Sequence, residues 1–308
     1  MMSVVDGLEA LTLTTAAGGG IEAAFVPSAG MVGCSLRHRG DELLGQRGGL
    51  ARYVAERGTM GIPLLHPWAN RLAKTRFAVA GREVNLDSAE DLARDPNGQP
   101  IHGLLAAAPD WEVERHEPFG DPALLLAAFD FTRNESLMQA FPFAHILRTR
   151  ITLSGPTLAI STRLEPKAEA VPVAFGYHPY LQLPGVPRAE WQVEIPVRER
   201  LAVDSLMLPT GERERVSVPG GPLGTRTFDD GFLAPEGGAP FALAGGDRRI
   251  DVSFGAGYGF AQIYAPADDD VVAYEPMTAP TNALVTGEDL PVVQPGESYE
   301  ATFSITVA

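Results

Sequence analysis

The amino-acid sequence is poor in cysteine, in basic residues and in long apolar runs. Its one cysteine, Cys34, cannot form an internal disulfide, and no Cys/His spacing typical of a zinc site occurs. The 24 basic residues are outnumbered by 39 acidic ones, giving a formal net charge of -15. Such a chain repels nucleic-acid phosphates and anionic membranes, so we expect neither as a partner. No stretch approaches the roughly 18 uninterrupted apolar residues of a membrane-spanning helix.

Targeting signals and the common cofactor motifs are also missing. The segment MMSVVDGLEALTL lacks the basic start and apolar core of a signal peptide, so we expect a cytoplasmic protein. There is no GxGxxG, GxxxxGK[ST], GxSxG or HExxH motif, and we therefore expect no cofactor and no bound metal. A metal site built from His102, His178 and Glu275 would require these residues to meet through the tertiary fold alone.

Turn-forming residues and short strand-like runs dominate what is present. The 33 glycines and 26 prolines are scattered between runs such as LEALTLTT, ALLLAAFDFT and VVAYEPMT, which are rich in residues that favour strands. The pattern predicts an all-β protein of about 20 strands or somewhat fewer, spaced roughly 8 to 12 residues apart. Because no linker or repeat divides the chain, we predict one large antiparallel β-sandwich domain over residues 1–308.

Two segments make the strand prediction specific. ILRTRITLSGPTLAISTRLEP alternates on both sides of SGPT, which predicts a hairpin with a glycine-proline turn. TFSITV alternates well enough to be a strand with one wet face. Helical patterns are weak, and LLHPWANRLAKTRF contains a proline and lacks a clean helical period.

The six histidines fall into different contexts. His38 and His116 lie among charges, which favours solvent exposure. His145, in FPFAHIL, begins a hairpin strand, where packing or a surface role is expected. His66, in IPLLHPWANRL, is ambiguous from its neighbours. Cys34, in MVGCSL, is expected to be an ordinary buried thiol.

The other two histidines stand where strands give way to loops. His102 follows the turn DPNGQP and precedes Gly103, which allows another group to approach the backbone closely. His178, in GYHPY, precedes Pro179, which favours an extended backbone and ends the strand nearby. A lone histidine in an apolar run is usually a core residue, but two at such strand ends favour a functional site.

Polar partners for these histidines occur at similar positions. Glu275, in VVAYEPMT, ends an apolar strand, and burial there would raise its pKa toward that of a general base. Asp229 lies in the turn-like stretch TFDDGF. Arg71, in PWANRLAK, offers a planar set of donors suited to hydroxyl groups or carboxylates. Solvated or salt-bridged surface roles remain open for all three.

Seven short motifs, in order, resemble those of the aldose 1-epimerase (galactose mutarotase) family. They are GIPLLHPWANRLA, IHGLLA, FGYHPYLQLPG, TFDDGF, GFAQIY, YEPMTAPTNAL and VQPGESYEATFSI. Each motif is weak alone, but their order and spacing cover almost the whole chain. The resemblance implies the galactose mutarotase-like supersandwich, a large twisted antiparallel β-sandwich.

The resemblance also implies a reaction, the interconversion of the α and β anomers of an aldose sugar without a cofactor. Glu275 would take the proton of the C1 hydroxyl, and His178, as a protonated imidazole, would protonate the ring oxygen. His102 would hydrogen-bond the developing charge or the hydroxyls. The residues implied to bind sugar hydroxyls are Asn70, Arg71, Asp229 and Gln262.

Three other functions remain open. A non-catalytic sugar-binding or regulatory module could keep the same fold. A hexose-6-phosphate mutarotase would need extra cations, for which Arg37, Arg39 and Arg52 are candidates. A glycoside hydrolase would need two carboxylates, for which Glu275 and Asp229 are candidates. The particular sugar and the oligomeric state are not predicted.

Overall fold

The computed structural model describes residues 1–15, 20–89 and 92–308, and its secondary structure is mainly strand. The first thirteen described strands are β1 (Met2–Val5), β2 (Leu8–Thr15), β3 (Ile21–Val26), β4 (Val32–His38), β5 (Asp41–Glu42), β6 (Leu64–Leu65), β7 (Arg76–Val79), β8 (Arg82–Asn85), β9 (Glu112–Glu117), β10 (Ala123–Asp130), β11 (His145–Ser154), β12 (Thr157–Pro166) and β13 (Val171–Pro172). The others are β14 (Gly176–Tyr177), β15 (Tyr180–Leu181), β16 (Gln192–Glu194), β17 (Glu199–Val203), β18 (Pro209–Arg215), β19 (Gly221–Pro222), β20 (Phe228–Leu233), β21 (Phe241–Gly245), β22 (Arg248–Phe254), β23 (Phe260–Ala265), β24 (Val272–Met277), β25 (Val292–Val293) and β26 (Tyr299–Val307).

Helices are short. The α-helices in the described residues are α1 (Gly49–Glu56), α2 (Glu135–Ala140) and α3 (Ala283–Thr286). Single 3₁₀ turns occur at Pro27–Ala29, Leu86–Ser88, Phe131–Arg133, Arg188–Glu190 and Glu236–Gly238. The proline-containing segment LLHPWANRLAKTRF forms no helix, as its sequence predicts.

Two large antiparallel sheets form the body of the sandwich. One has nine strands in the order β19-β16-β21-β22-β26-β12-β11-β10-β9, and the other has eight in the order β18-β17-β20-β23-β24-β14-β6. Their inner faces share one apolar core, in which Tyr274 of β24 stacks on Phe241 of β21 at 5.1 Å between ring centroids. The Tyr274 hydroxyl also donates to the carbonyl of Ala242 at 2.6 Å, so this buried polar group is satisfied. Strands β1 to β5 form a separate five-stranded sheet.

The alternating sequences produce half-buried strands, as predicted. β11 and β12 pair in register from His145–Pro166 to Ser154–Thr157 around the Gly155-Pro156 turn, which confirms the predicted hairpin. In β26 every second side chain from Ala301 to Val307 is buried, so one face of this strand packs on the core. The all-β antiparallel sandwich is therefore confirmed.

Strand β24 differs because all six of its residues are buried. Neighbouring strands lie on both sides, with β23 pairing along one edge and β14 and β15 along the other. A carboxylate within such a strand has no route to bulk water through an outer face. Glu275 is accordingly 1% exposed, which makes it unusual among glutamates.

Several expectations from sequence need correction. The described residues contain more strands than predicted, because seven are only two residues long and have no sequence pattern of their own. His38, expected in solvent, is buried because it ends β4 beside β3. His116 is partly buried and its Nε2 lies 3.0 Å from the carbonyl of Thr12. Cys34 is buried, as predicted.

In the part of the chain that the structure describes, no helix has both the length and the apolar character needed to cross a bilayer.

Candidate active site

A cavity of about 220 Å³ is lined by residues of strands β15, β20, β23 and β24 and by loop residues between β5 and β9. Six of the seven residues singled out from sequence line it: Asn70, Arg71, His102, His178, Asp229 and Glu275. The chain separation between the first and last of these is large, so the sandwich fold alone brings them together. The two histidines and Glu275 thus belong to one shared site, although Glu275 lies within β24 and not at its end as its sequence context predicts.

Sheet register brings His178 and Glu275 into contact. β14 pairs with β24 at Gly176–Met277, and β15 pairs with the same strand at Tyr180–Ala273. Continuing that register across the break between β14 and β15 places His178 directly opposite Glu275. The His178 Nε2 and Glu275 Oε1 atoms are 3.2 Å apart, and both side chains are buried.

Burial and contact act in opposite directions on this pair. Burial lowers the pKa of His178 well below its usual value, and the nearby His102 and Arg47 lower it further. Burial raises the pKa of Glu275 well above its usual value, and Asp229 raises it further, while Arg71 opposes the change. Direct contact would stabilise an imidazolium beside a carboxylate. A second proton would leave the imidazolium unpaired, and loss of the only proton would leave the carboxylate unpaired. Either unpaired charge is costly in a buried site. We infer that the pair holds one proton between them across neutral pH.

This proton count modifies the expectation of an independent imidazolium at His178. Burial disfavours that charge, so the proton belongs to the pair. When it lies on His178, Glu275 is a carboxylate; when it lies on Glu275, both groups are neutral. In either arrangement the site contains one proton donor and one proton acceptor within hydrogen-bonding reach of each other.

His102 lies beside this pair on a tightly held loop. Its ring meets that of His178 edge-on, with 5.5 Å between centroids. Its backbone has a positive φ of 63° and its N–H donates to the carbonyl of Asn70 at 3.0 Å. Burial, followed by the charges of Arg71 and Arg47, lowers the pKa of His102 to about 3. His102 is therefore a neutral imidazole, suited to hydrogen bonding rather than to proton donation.

Arg71 organises the opposite side of the cavity. Its Nε donates to Asp95 at 2.9 Å, and its two terminal nitrogens donate to Asn70 Oδ1 at 3.2 Å and Asp229 Oδ2 at 3.1 Å. The Gln262 side-chain amide donates to the other oxygen of Asp229 at 2.7 Å. Each member fixes the next, so this part of the site is pre-organised before any ligand binds.

The binding of sugar hydroxyls by Gln262 stays a prediction. Gln262 is buried in β23 opposite Glu275 and does not line this cavity, but it lines a neighbouring cavity together with Asn70, Arg71 and Asp229. Its observed contact is the hydrogen bond to Asp229. The structure therefore supports a role in holding that carboxylate.

Sequence reasoning missed several lining residues. Arg47, Tyr180 and Tyr264 form one wall, where the Arg47 guanidinium carbon is 4.7 Å from the centroid of the Tyr180 ring. The imidazole of His178 also stacks on Tyr180, with 4.0 Å between centroids. Asp95 comes from the turn DPNGQP, whose composition indicates a turn and nothing more. Tyr180, the last residue of GYHPY, was the one available signal, since an aromatic ring close to a candidate histidine in sequence favours a shared wall of the cavity.

The cations considered earlier for a phosphate group lie elsewhere. Arg37, Arg39 and Arg52 are absent from the lining of this cavity, and each pairs with an acidic partner outside it. The structure therefore does not bring these three candidates to the site. Arg47 is the cation that reaches the cavity from this region of the chain.

Three buried polar atoms in the cavity have no hydrogen-bond partner among the described residues: His102 Nδ1, His178 Nδ1 and Glu275 Oε2. Buried polar groups are normally paired, and a ligand rich in hydroxyl groups would pair with such atoms. No group of three or more His, Cys, Asp or Glu residues in the described ranges has an arrangement that could hold a metal ion. The arrangement can transfer protons and bind a polar ligand.

Comparisons with known proteins agree with this architecture. The curated protein YihR of Escherichia coli K12, described as uncharacterized, is 24% identical over 262 residues, covering 79% of this chain and 80% of its own. A galactose mutarotase-like protein from Clostridium acetobutylicum superposes with a TM-score of 0.85 at 19% identity, covering 100% of this chain and 98% of its own. Galactose 1-epimerase from Lactobacillus acidophilus superposes with a TM-score of 0.78 at 15% identity, covering 99% and 96%.

The family assignment rests on the sequence itself. The profile that describes aldose 1-epimerases matches residues 23–306, which is nearly the whole chain. This match spans every residue that lines the cavity, from Arg47 to Glu275. The chain therefore belongs to the aldose 1-epimerase family.

Proposed function

We propose that this protein is a cofactor-independent isomerase that interconverts the α and β anomers of a hexose by opening and closing its ring. The observation that carries the proposal is the buried contact of 3.2 Å between His178 and Glu275 at the cavity. Mutarotation needs one acid and one base close to a single C–O–H unit, and their roles exchange when the ring closes again. A pair that holds one proton meets both requirements.

Ring opening follows from this inventory of protons. Glu275 takes the proton of the C1 hydroxyl, and the electrons of that O–H bond form the C1 carbonyl. The bond between C1 and the ring oxygen breaks, and the ring oxygen takes both its electrons and a proton from His178. After rotation about C1–C2, the two transfers run in reverse and the ring closes on the other face.

The rest of the cavity binds and orients the sugar. His102, as a neutral imidazole, donates or accepts a hydrogen bond beside the reacting atoms. Arg71, Asn70 and Asp229 supply hydroxyl-binding groups that are already fixed by their mutual hydrogen bonds. Because this network needs no rearrangement, binding energy is not spent on ordering it.

A hexose 6-phosphate is a second candidate substrate, favoured by one observation. Arg47 lines the cavity, and its nearest carboxylate, Asp269, is 3.6 Å away, so this charge is only loosely neutralised. Asp229, by contrast, is engaged by Arg71 and Gln262, which does not favour the paired free carboxylates of a glycoside hydrolase.

Polarimetry on freshly dissolved α-D-glucose and α-D-galactose tests the proposal. The protein should speed the approach to anomeric equilibrium, and Glu275→Gln and His178→Asn should each slow it by about 10²- to 10⁴-fold. His116→Asn, outside the cavity, is the matched control and should leave the rate unchanged. Full activity in Glu275→Gln would refute the assigned base. No acceleration with these sugars or with glucose 6-phosphate, by folded protein that still binds sugar, would favour the non-catalytic alternative.

A further inference from the structure

We propose that His66 and His145 form a buried imidazole pair that positions the loop carrying His102, so that they act as positioning residues for the site. The inference rests on the proposed function for its kinetic test, although its structural test does not. The two Nε2 atoms are 2.8 Å apart, and neither ring is more than 1% exposed. Neither residue lines the cavity.

The hydrogen bonds of His145 determine which nitrogen carries each proton. His145 Nδ1 lies 2.7 Å from the carbonyl oxygen of Phe143, which can only accept, so this nitrogen must carry a hydrogen. In a neutral ring the other nitrogen then has a lone pair, and His145 Nε2 accepts from His66 Nε2–H. The remaining atom, His66 Nδ1, is an unprotonated acceptor and is the only atom of the pair without a partner among the described residues.

The surroundings keep both rings neutral and fix their planes. Phe131 stacks on His145 with 4.5 Å between centroids and meets His66 edge-on at 5.8 Å, while the ring of Phe175 is tilted against that of His66 at 6.4 Å. Burial lowers the pKa of His145 to about 4 and that of His66 well below its usual value. Protonating His145 at Nε2 would set its N–H against the N–H of His66, so the arrangement with both rings neutral is favoured.

The backbone of His66 connects this pair to the site. Its carbonyl accepts from the N–H of Leu104 at 2.7 Å and of Leu105 at 3.2 Å. Gly103 lies so close that a Cβ there would be 2.2 Å from the same carbonyl oxygen. His102 immediately precedes Gly103, and its own N–H donates to the carbonyl of Asn70 at 3.0 Å.

The geometry therefore transmits the orientation of one ring to another. The His145 hydrogen bond fixes the His66 side chain, the fixed residue directs its carbonyl, and the carbonyl holds the loop that presents His102 to the cavity. Misplacing a catalytic group by about 1 Å can cost on the order of 10²-fold in rate. Loss of the imidazole contact should thus lower activity although neither histidine touches the sugar.

Two variants of similar size separate the two hydrogen bonds of His145. In His145→Gln the amide oxygen replaces Nε2 as the acceptor for His66 but leaves the Phe143 carbonyl unpaired. In His145→Asn the amide nitrogen replaces Nδ1 as the donor to Phe143 and leaves His66 unpaired. We expect kcat/KM to fall about tenfold or more in the Asn variant and less than about threefold in the Gln variant. A structural role alone would make both variants comparably impaired, in proportion to their loss of melting temperature.

Long-range ¹H–¹⁵N NMR provides a readout that does not depend on turnover. In the unmodified protein at pH 7, His145 should carry its proton on Nδ1 and His66 on Nε2. The His102 imidazole signals should move in the Asn variant and stay in place in the Gln variant. Other tautomers, or His102 signals that are unchanged in both variants, would overturn the inference. If no aldose is turned over at all, these NMR signals still test whether His66 and His145 position His102. Failure of the proposed function and failure of this inference can therefore be distinguished.

Discussion

Replacing Glu275 by Gln should change how the stability of the protein depends on pH. In the folded state, the pair of His178 and Glu275 is expected to keep one proton across neutral pH, because both groups are buried and in contact. In the unfolded chain the two groups titrate independently, near 4.5 for the glutamate and 6.5 for the histidine. The difference in bound protons between the two states sets the slope of the unfolding free energy against pH.

The slopes for the two proteins differ in every part of the range from pH 5 to 8. Between pH 4.5 and 6.5 the unfolded wild-type pair also holds one proton, so its contribution is flat; above 6.5 the folded state holds one proton more, and stability falls as pH rises. In Glu275→Gln, only the neutral buried His178 remains. Because its pKa is lowered in the folded state, the stability of the variant rises with pH below 6.5 and does not depend on pH above 6.5.

As pH rises, the unfolding free energy of Glu275→Gln should therefore increase relative to that of the wild type by about 1.4 kcal/mol per pH unit. Over three pH units the upper limit is roughly 4 kcal/mol. Urea unfolding, followed by the fluorescence of the three tryptophans at pH 5, 6, 7 and 8, measures it directly. Exposed Glu9→Gln is the control and should show no such trend. A pH-independent difference for Glu275→Gln would show that the pair does not share one proton.

Three further predictions concern the surroundings of the site. Arg71→Lys removes the planar group that engages two carboxylates and should raise KM by about tenfold, read from initial rates over a range of sugar concentrations, with kcat less affected. Gly103→Ala should lower the free energy of unfolding in urea by at least about 1–3 kcal/mol, since the φ of Gly103 is +79° and the added Cβ would clash with His66. Unchanged stability would contradict the close approach. Cys34 should resist Ellman's reagent until the protein unfolds, because burial raises its thiol pKa to about 12, whereas immediate labelling would contradict that burial.

Much of the fold could be predicted because its signals are local. The β11–β12 hairpin and β26 alternate with period two, so their buried faces can be read from the chain directly. The seven two-residue strands leave no such pattern. Glu275 in β24 occupies an otherwise apolar run, and such a run does not distinguish a strand buried on both faces from one with a single wet face.

The site was partly predictable for a different reason. His102 and His178 stand beside glycine and proline, which mark strand ends where functional groups are commonly displayed. Arg47 and the contact between His66 and His145 have no local signal, because they depend on segments far apart in sequence. His38 was misassigned because its side chain lies on the buried face of β4, whereas the neighbouring Arg37 is exposed.

Strand β26 occupies an interior position in the nine-stranded sheet, between β12 and β22, although all its partners precede it in the chain. During synthesis the strands on either side of it emerge first and must wait with open edges, which are prone to pair wrongly. Only the arrival of Tyr299–Val307 joins the two halves of this sheet. A nascent chain halted before that strand would thus have made every residue of the candidate site and still lack the sheet that backs it, so chaperone dependence should be greatest late in translation.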